Sequence, residues 1–406
     1  MPDSQPRPPD GATADTTALL LSGARLTDGR TVDVRLGGGR IEAVGTAGSL
    51  PAHTARVDLS GYLLLPAPAE PHGHGDTALT ADGPGPVSYD GRDVQRRATE
   101  AALLQLGHGA TALRSHVRIG DVQGLGPLEA VLRARRSLRG LTELTAVAVP
   151  RLLTGVAGAD GLAMLRDAVK MGASVVGGCP DSDPDPTGYV QTVLEVAAEH
   201  GCPVDLHTHG DDPARLARLA AMTGGLRPGV AIGPCAGLAR LPHERAARVA
   251  DQLAAAGVTV VCLPQGGCGA VEHRGCAPVR LLRAAGVRVT AGGGALRDVS
   301  NPVGRGDPLE SAYLLASRSG LRAVEAYDTV AAAARAAMGL PEVRVEAGFP
   351  AELLAVRGDR LPAVLSLAYS RIVIHRGRVV ARTSAVREYC DSAVAVALEL
   401  PRQGRS

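Results

Sequence analysis

The sequence predicts an α/β fold, a (β/α)8 barrel of the TIM type joined to a small β-sandwich domain built from both ends of the chain. Three observations carry this expectation. Apolar, β-branched runs alternate with Ala/Leu/Arg stretches of helical period through the middle of the chain. The two ends share a different texture of short alternating strands broken by Gly and Asp. Two His-x-His pairs fall at the ends of predicted strands, where a barrel places its active site.

The barrel is read from eight strand signals. YLLLPAPAEPHGH (62–74) is taken as the first, followed by TALRSHV (111–117), LTAVAVP (144–150), SVVGGC (174–179), PVDLHTH (203–209), GVAIG (229–233), VTVVCLP (258–264) and VRVTAGG (287–293). Helical stretches such as ADGLAMLRDAVKMG and ERAARVADQLAAAG separate them, and several end in Gly just before the next strand, as a helix C-cap does. Right-handed crossovers then leave a closed barrel or a doubly wound open sheet, and the β-rich flanks favour the barrel. Those flanks are residues 19–45 with ARVDLSGYLLLP, and later GFPAELLAVRGD (348–359) and SRIVIHRGRVVA (370–381). The expected division is a disordered tail over 1–16, a discontinuous β domain over 17–62 and 343–390, a barrel over 63–342 and a tail over 391–406.

Composition agrees. The chain has 406 residues, enough for a barrel of about 250 residues and a companion domain. Hydrophobic residues make up 45% but aromatics only 2%, so Ala, Val, Leu and Ile must build the core. That palette suits parallel strands buried on both faces. A net charge of +2 gives no reason to expect nucleic acid or an anionic membrane as partner. Seven Cys without CxxC spacing point to reduced thiols and a cytoplasmic protein. The polar, Pro-rich start lacks the apolar stretch of a signal peptide, and no apolar run reaches membrane-spanning length.

His72 and His74 are two apart on a strand, so both side chains point to one side. His207 and His209 repeat the spacing on the fifth strand. A single His is most often a core or loop residue; imidazoles converging at a barrel mouth can bind a divalent metal.

The stretch E-P-H-G-H-G-D (70–76) resembles the metal-binding end of the first barrel strand in the amidohydrolase superfamily, most closely the cytosine deaminases. RSHVRIGD (114–121), AVKMGASVVGGCP (168–180), PVDLHTHGDD (203–212), NPVGRGDPLESAYLL (301–315) and VEAGFPAELLAV (345–356) follow in the family's order. The resemblance implies one divalent metal, zinc or iron, held by His72, His74 and His207. It also exposes departures. Gly294 stands where the family has a metal-binding Asp, Gly210 where it has a proton-carrying Glu, Pro234 where it has a His, and Arg151 where it has a ring-reading Gln. Gly and Pro side chains can neither bind a metal nor carry a proton. General acid–base help is worth roughly a hundred to ten thousand fold, so proton transfer is the larger loss. Asp211 and His209 are the expected replacements, with Asp212, Glu70, His116 and Asp298 also near the mouth; loop solvation and capping are the plainer roles for each. Arg118 and Arg151 suggest a carboxylate or phosphate on a heterocyclic substrate, unless they only pair with nearby acids.

Two readings follow. One is a hydrolase of non-peptide C–N bonds, of deaminase or cyclic amidase type and not an authentic cytosine deaminase. The other is an inactive relative that binds a small molecule or serves as a partner subunit. Homo-oligomers are usual among relatives, by analogy only. The lone Lys170 is expected on the helix before the fourth strand, at the wrong end for a carboxylated bridge between two metals.

Overall fold

The structure, a computed structural model, describes residues 18–51, 55–83, 85–267, 275–367 and 369–385. The two expected tails, 1–16 and 391–406, lie outside the described residues.

The chain opens with five strands, β1 (Leu19–Arg25), β2 (Thr31–Gly37), β3 (Arg40–Thr46), β4 (Ala55–Asp58) and β5 (Tyr62–Pro66). The barrel then runs β6 (Ala69–Gly73), α1 (Gly91–Gly107), β7 (Ala112–Ile119), α2 (Gly126–Ser137), β8 (Glu143–Pro150), α3 (Gly155–Met171), β9 (Val175–Gly178), α4 (Pro186–His200) and β10 (Val204–Thr208). It continues through α5 (Pro213–Thr223), β11 (Val230–Pro234), α6 (His243–Ala255), β12 (Thr259–Cys262), α7 (Val279–Ala284), β13 (Arg288–Ala291), α8 (Pro308–Arg318), α9 (Ala323–Val330) and α10 (Ala332–Ala337). The chain returns to the small sheet through β14 (Leu353–Arg357), α11 (Leu361–Leu367), β15 (Arg371–His375) and β16 (Arg378–Thr383).

β6 to β13 are consecutive parallel neighbours in one sheet. A parallel bridge between Gly73 and Gly294 joins the first strand to the chain just after the last. The Gly294 N–H donates to His72 O at 3.0 Å across the same seam. This is the barrel the alternating pattern predicts. The second sheet is mixed, in the order β16-β15-β14-β5-β1-β2-β3 with β4 on β1, so strands from the two ends of the chain pair with each other.

One strand divides differently from expectation. Residues 62–74 are not one barrel strand: β5 pairs antiparallel with β14 in the small sheet, and the barrel begins only at β6. Pro66 and Pro68 lack the N–H that a continuous ladder needs, so the run breaks between them.

Local chemistry sets the helix starts. Asp185-Pro186, Asp212-Pro213 and Asp307-Pro308 each place a carboxylate at the N-cap and a proline in the first turn. Asp212 Oδ1, for example, accepts from Ala214 N and Arg215 N at 2.9 and 3.1 Å. Gly201 closes α4 in the left-handed conformation, with φ 63°.

The main core lies between strands and helices and is aliphatic, with Val117, Leu128, Val176, Val193, Leu206, Ile232 and Leu253 all buried. The buried tyrosines Tyr189 and Tyr327 act as polar struts. The buried Tyr189 hydroxyl donates to Pro150 O at 2.6 Å and accepts from Cys179 N at 3.2 Å, fastening the ends of β8 and β9 together. The small sheet is clamped to the barrel by Arg371, whose guanidinium donates to both oxygens of the Asp307 N-cap at 2.8 and 2.6 Å.

Candidate metal centre at the barrel mouth

His72 lies one residue before the end of β6 and is fully buried. His74 follows two residues later, and His207 projects from β10 across the mouth. Their ring centroids lie 5.3 Å (His72–His74), 5.2 Å (His72–His207) and 6.1 Å (His74–His207) apart. One nitrogen from each falls within 4.8 Å of the other two. Both His72 nitrogens and His74 Nε2 are buried without a hydrogen-bond partner in the protein. A buried polar atom left unpaired is costly, and a set of such atoms facing one point is what a bound cation would satisfy. The three imidazoles therefore fit a divalent metal.

Electrostatics agrees. Burial, reinforced by the neighbouring imidazoles, holds His72 and His74 well below the ordinary histidine range. Burial first, then His116 and His209, lowers His207 to about 4. All three are neutral near pH 7, the form that ligates.

A second tier lies beneath. Arg114 and His116 on β7, and Asp205 on β10, are buried. Arg114 Nη1 donates to Asp205 Oδ2 at 2.8 Å, and His116 Nε2 lies 3.3 Å from Asp205 Oδ1. Burial works to raise the Asp205 carboxyl, but His116 and Arg114 outweigh it and hold it below its ordinary value. Strand alternation makes this tier readable: Asp205 is two residues before His207, and Arg114 two before His116. The sequence signal was present, but a buried Asp two residues from a ligand has no distinguishing composition.

The mouth opens into a cavity of about 500 Å³ lined by His74, His116, Arg118, Arg151, Cys179 and His207 among others. A larger cavity, about 670 Å³, lies at the opposite end, beside the starts of β10, β11 and β12, with Arg227 and Arg288 in its wall. Barrel enzymes use the C-terminal end of their strands, so the first cavity is the candidate site.

The structure places the other expected residues as follows. Arg118 and Arg151 both reach the cavity, and Arg151 Nη1 sits 3.4 Å from Asp121 Oδ2 at the exposed rim. His209 neighbours His207, with ring centroids 6.2 Å apart. Asp211 is half-exposed beside Arg240, 3.7 Å away, and is not part of the cavity lining. Asp212 caps α5, and Asp298 accepts from Thr77 Oγ1, Ser300 N and Asn301 N, tying loops together. Gly294 (φ 70°) and Gly210 (φ 72°) occupy left-handed backbone positions that an L side chain adopts only with strain. Lys170 projects from α3, its Nζ 3.5 Å from Asp167.

Glu70 is a seam element. Its Oε1 accepts from His72 N at 2.9 Å and its Oε2 from Gly293 N at 2.8 Å. Burial raises its carboxyl to about 7 against the pull of those two N–H groups. Asp181, which the sequence did not single out, accepts from Thr208 Oγ1, His209 N and Arg215 Nη1, and so fixes the end of β10.

Residues 89–381, well over half of the chain, match the model of the family described as "Amidohydrolase family". A pterin deaminase of Rhizobium rhizogenes is 26% identical over 394 residues, covering 86% of this chain and 88% of the relative. The crystal structure of N-isopropylammelide isopropylaminohydrolase from Burkholderia multivorans superposes with a TM-score of 0.79 at 26% identity, covering 91% of this chain and all of that one. A 5-methylcytosine deaminase from Klebsiella pneumoniae, liganded with 5-fluorocytosine, gives 0.80 at 22% identity, covering 92% of this chain and all of that one, a likeness of fold. Among the described residues no helix is long and apolar enough to cross a membrane.

Proposed function

The chain belongs to the amidohydrolase family, hydrolases of carbon–nitrogen bonds other than peptide bonds, and from that premise we propose that it hydrolyses such a bond in a small heterocycle at the barrel mouth. The reaction is of deaminase or cyclic amidase type and not that of an authentic cytosine deaminase. The observation that carries this reading is the convergence of three neutral imidazoles, the buried His72 and the partly buried His74 and His207, with both His72 nitrogens and His74 Nε2 left unpaired by the protein.

These three residues would hold one divalent metal, zinc or iron. When bound, such an ion supplies an activated water at neutral pH. The chain's own residues do the rest. A cavity of about 500 Å³ fits a single or fused ring. Tyr189 holds the β8 and β9 ends as one wall. Arg118 and Arg151 present two guanidinium groups against one carboxylate, Asp121, and so favour a substrate bearing a carboxylate or phosphate. The names of the relatives, a pterin deaminase and an isopropylaminohydrolase, support a nitrogen heterocycle as the class.

A second reading, a binder without turnover, is favoured by one observation: Gly294, Gly210 and Pro234 carry no proton-transferring group. Metal analysis and an assay against amino-substituted heterocycles separate the two. The first reading expects about one zinc or iron per chain, ammonia or amine release, and loss of both in His72→Ala. Substoichiometric metal with ligand binding untouched by that substitution would support the second.

A further inference from the structure

We propose that the joint between the barrel base and the small sheet is a phosphate-binding site built around Arg135, Arg139 and His375. It takes a phosphate group, either free or at the head of a small phosphomonoester. The inference is independent of the metal-centre reading above.

A cavity of about 280 Å³ lies where the start of β8 meets the end of β15. Arg135 comes from the last turn of α2 and Arg139 from just beyond it. Thr145 on β8 and Ser174, immediately before β9, bring hydroxyl groups, and His375 and Arg376 belong to the wall from the small sheet. These are the amino-terminal ends of the barrel strands, the end away from the mouth.

The charge of the lining is unbalanced. Three guanidinium groups stand against one carboxylate, Glu143, and that carboxylate is already paired with Arg376. Among the described residues neither Arg135 nor Arg139 makes an ion pair with a carboxylate; Arg135 Nη1 donates to Gly172 O at 3.3 Å. Surplus guanidinium groups beside hydroxyls suit a tetrahedral oxyanion.

His375 supplies a second reason. Its side chain is 2% exposed, and its Nδ1 lies 2.8 Å from Glu352 Oε2. Glu352 Oε1 accepts from Arg376 N at 3.0 Å, so one carboxylate fixes both the ring and the chain that follows it. Burial works to raise the Glu352 carboxyl, but His375, with Thr111 and Arg376, outweighs it and holds it below its ordinary value. His375 Nε2 is buried without a partner in the protein. With Nδ1 committed to a carboxylate, Nε2–H of the imidazolium is an orphan donor. A buried orphan donor in the wall of a cavity with surplus cations is what a bound oxyanion satisfies.

The test is a calorimetric titration of inorganic phosphate at constant ionic strength. It uses the full chain carrying Arg118→Ala and Arg151→Ala, so that the arginines of the mouth do not contribute. One saturable site per chain is expected. Arg135→Ser and Arg139→Ser, each added to that background, should weaken binding by about tenfold or more, the weight of a charge-assisted hydrogen bond. His375→Gln, which cannot carry the charge, should weaken it as well. Arg136→Ser removes the same charge from the same helix turn but outside the cavity, where salt screens it, and should change affinity by less than about twofold. Glycerol phosphate binding more tightly than inorganic phosphate would assign the site to a phosphomonoester, and equal or weaker binding would assign it to the free ion. Absence of a saturable site, or equal losses in Arg136→Ser and Arg139→Ser, would overturn the proposal and leave only a diffuse positive surface.

Discussion

Glu70 Oε2 accepts a hydrogen bond of 2.8 Å from Gly293 N, so a buried carboxylate from the first barrel strand stitches it to the chain leaving the last. The glycine run 292–294 makes room for it. A Cβ on Gly292 would lie 2.6 Å from Glu70 Oε1 and 3.2 Å from His72 Cβ, and one on Gly293 would lie 3.0 Å from the Gly306 backbone. Gly292→Ala is therefore expected to cost about 1–3 kcal/mol, as overpacking does. Urea unfolding midpoints check this; a midpoint equal to wild type would show that the seam has slack.

Arg371→Leu should be among the more damaging changes away from the mouth. It strands the Asp307 carboxylate under the small sheet, and breaking a buried pair in this way costs about 3–5 kcal/mol. Burial works to raise Asp307, but the Arg371 hydrogen bonds and charge outweigh it and hold the carboxyl below its ordinary value of 3.8. A depressed carboxyl stabilises the fold above the unfolded value and loses that contribution as pH falls through the folded one. The stability gap between wild type and variant is thus widest near neutrality and narrows toward pH 3. A gap that stays constant over that range, measured by denaturant titration, would contradict the assignment.

Metal removal should destabilise the native chain. An ion that binds only the folded state adds about 2.7 kcal/mol at a hundred times its Kd. Chelation is expected to lower the thermal midpoint, with zinc restoring it in wild type and failing to do so in His74→Ala. Identical melting curves before and after chelation would remove the basis for a metal centre.

Substrate charge is tested by pairing ligands. Arg118→Ala and Arg151→Ala should each raise KM for a carboxylated heterocycle several-fold and leave KM for its neutral analogue nearly unchanged. Asp211→Asn should alter kcat by less than about twofold, because the side chain is half-exposed beside Arg240; general acid–base help is worth at least about a hundredfold, so a fall of that size would assign the proton to Asp211.

The barrel, the split small sheet and the imidazole pairs were legible in the sequence because each rests on a period. Alternation along β10 put Asp205 and His207 on one side, and Asp-Pro pairs marked three helix starts. The β5/β6 division was not legible, since LLLP and APAE are both apolar enough for a barrel strand and only the pairing of Leu63 with Val356 shows which sheet claims the first. Asp211 illustrates a different limit. Sequence order puts it near the lost Glu, but the backbone beyond Gly210 turns its carboxylate toward Arg240. Asp181 and Asp205 escape for the opposite reason: the two-residue offset of Asp205 from His207 is there to read, but the significance of both acids is a set of partners 27 to 91 residues away.

The interleaving of the two chain ends has a consequence for synthesis. β5 is translated early, yet its antiparallel neighbour β14 begins only at Leu353, after the whole barrel. During translation the amino-terminal strands present an open hydrogen-bonding edge while some three hundred residues are added. Such an edge invites pairing with other nascent chains. Truncation before residue 353 is expected to give a chain that aggregates, even with His72, His74 and His207 already made.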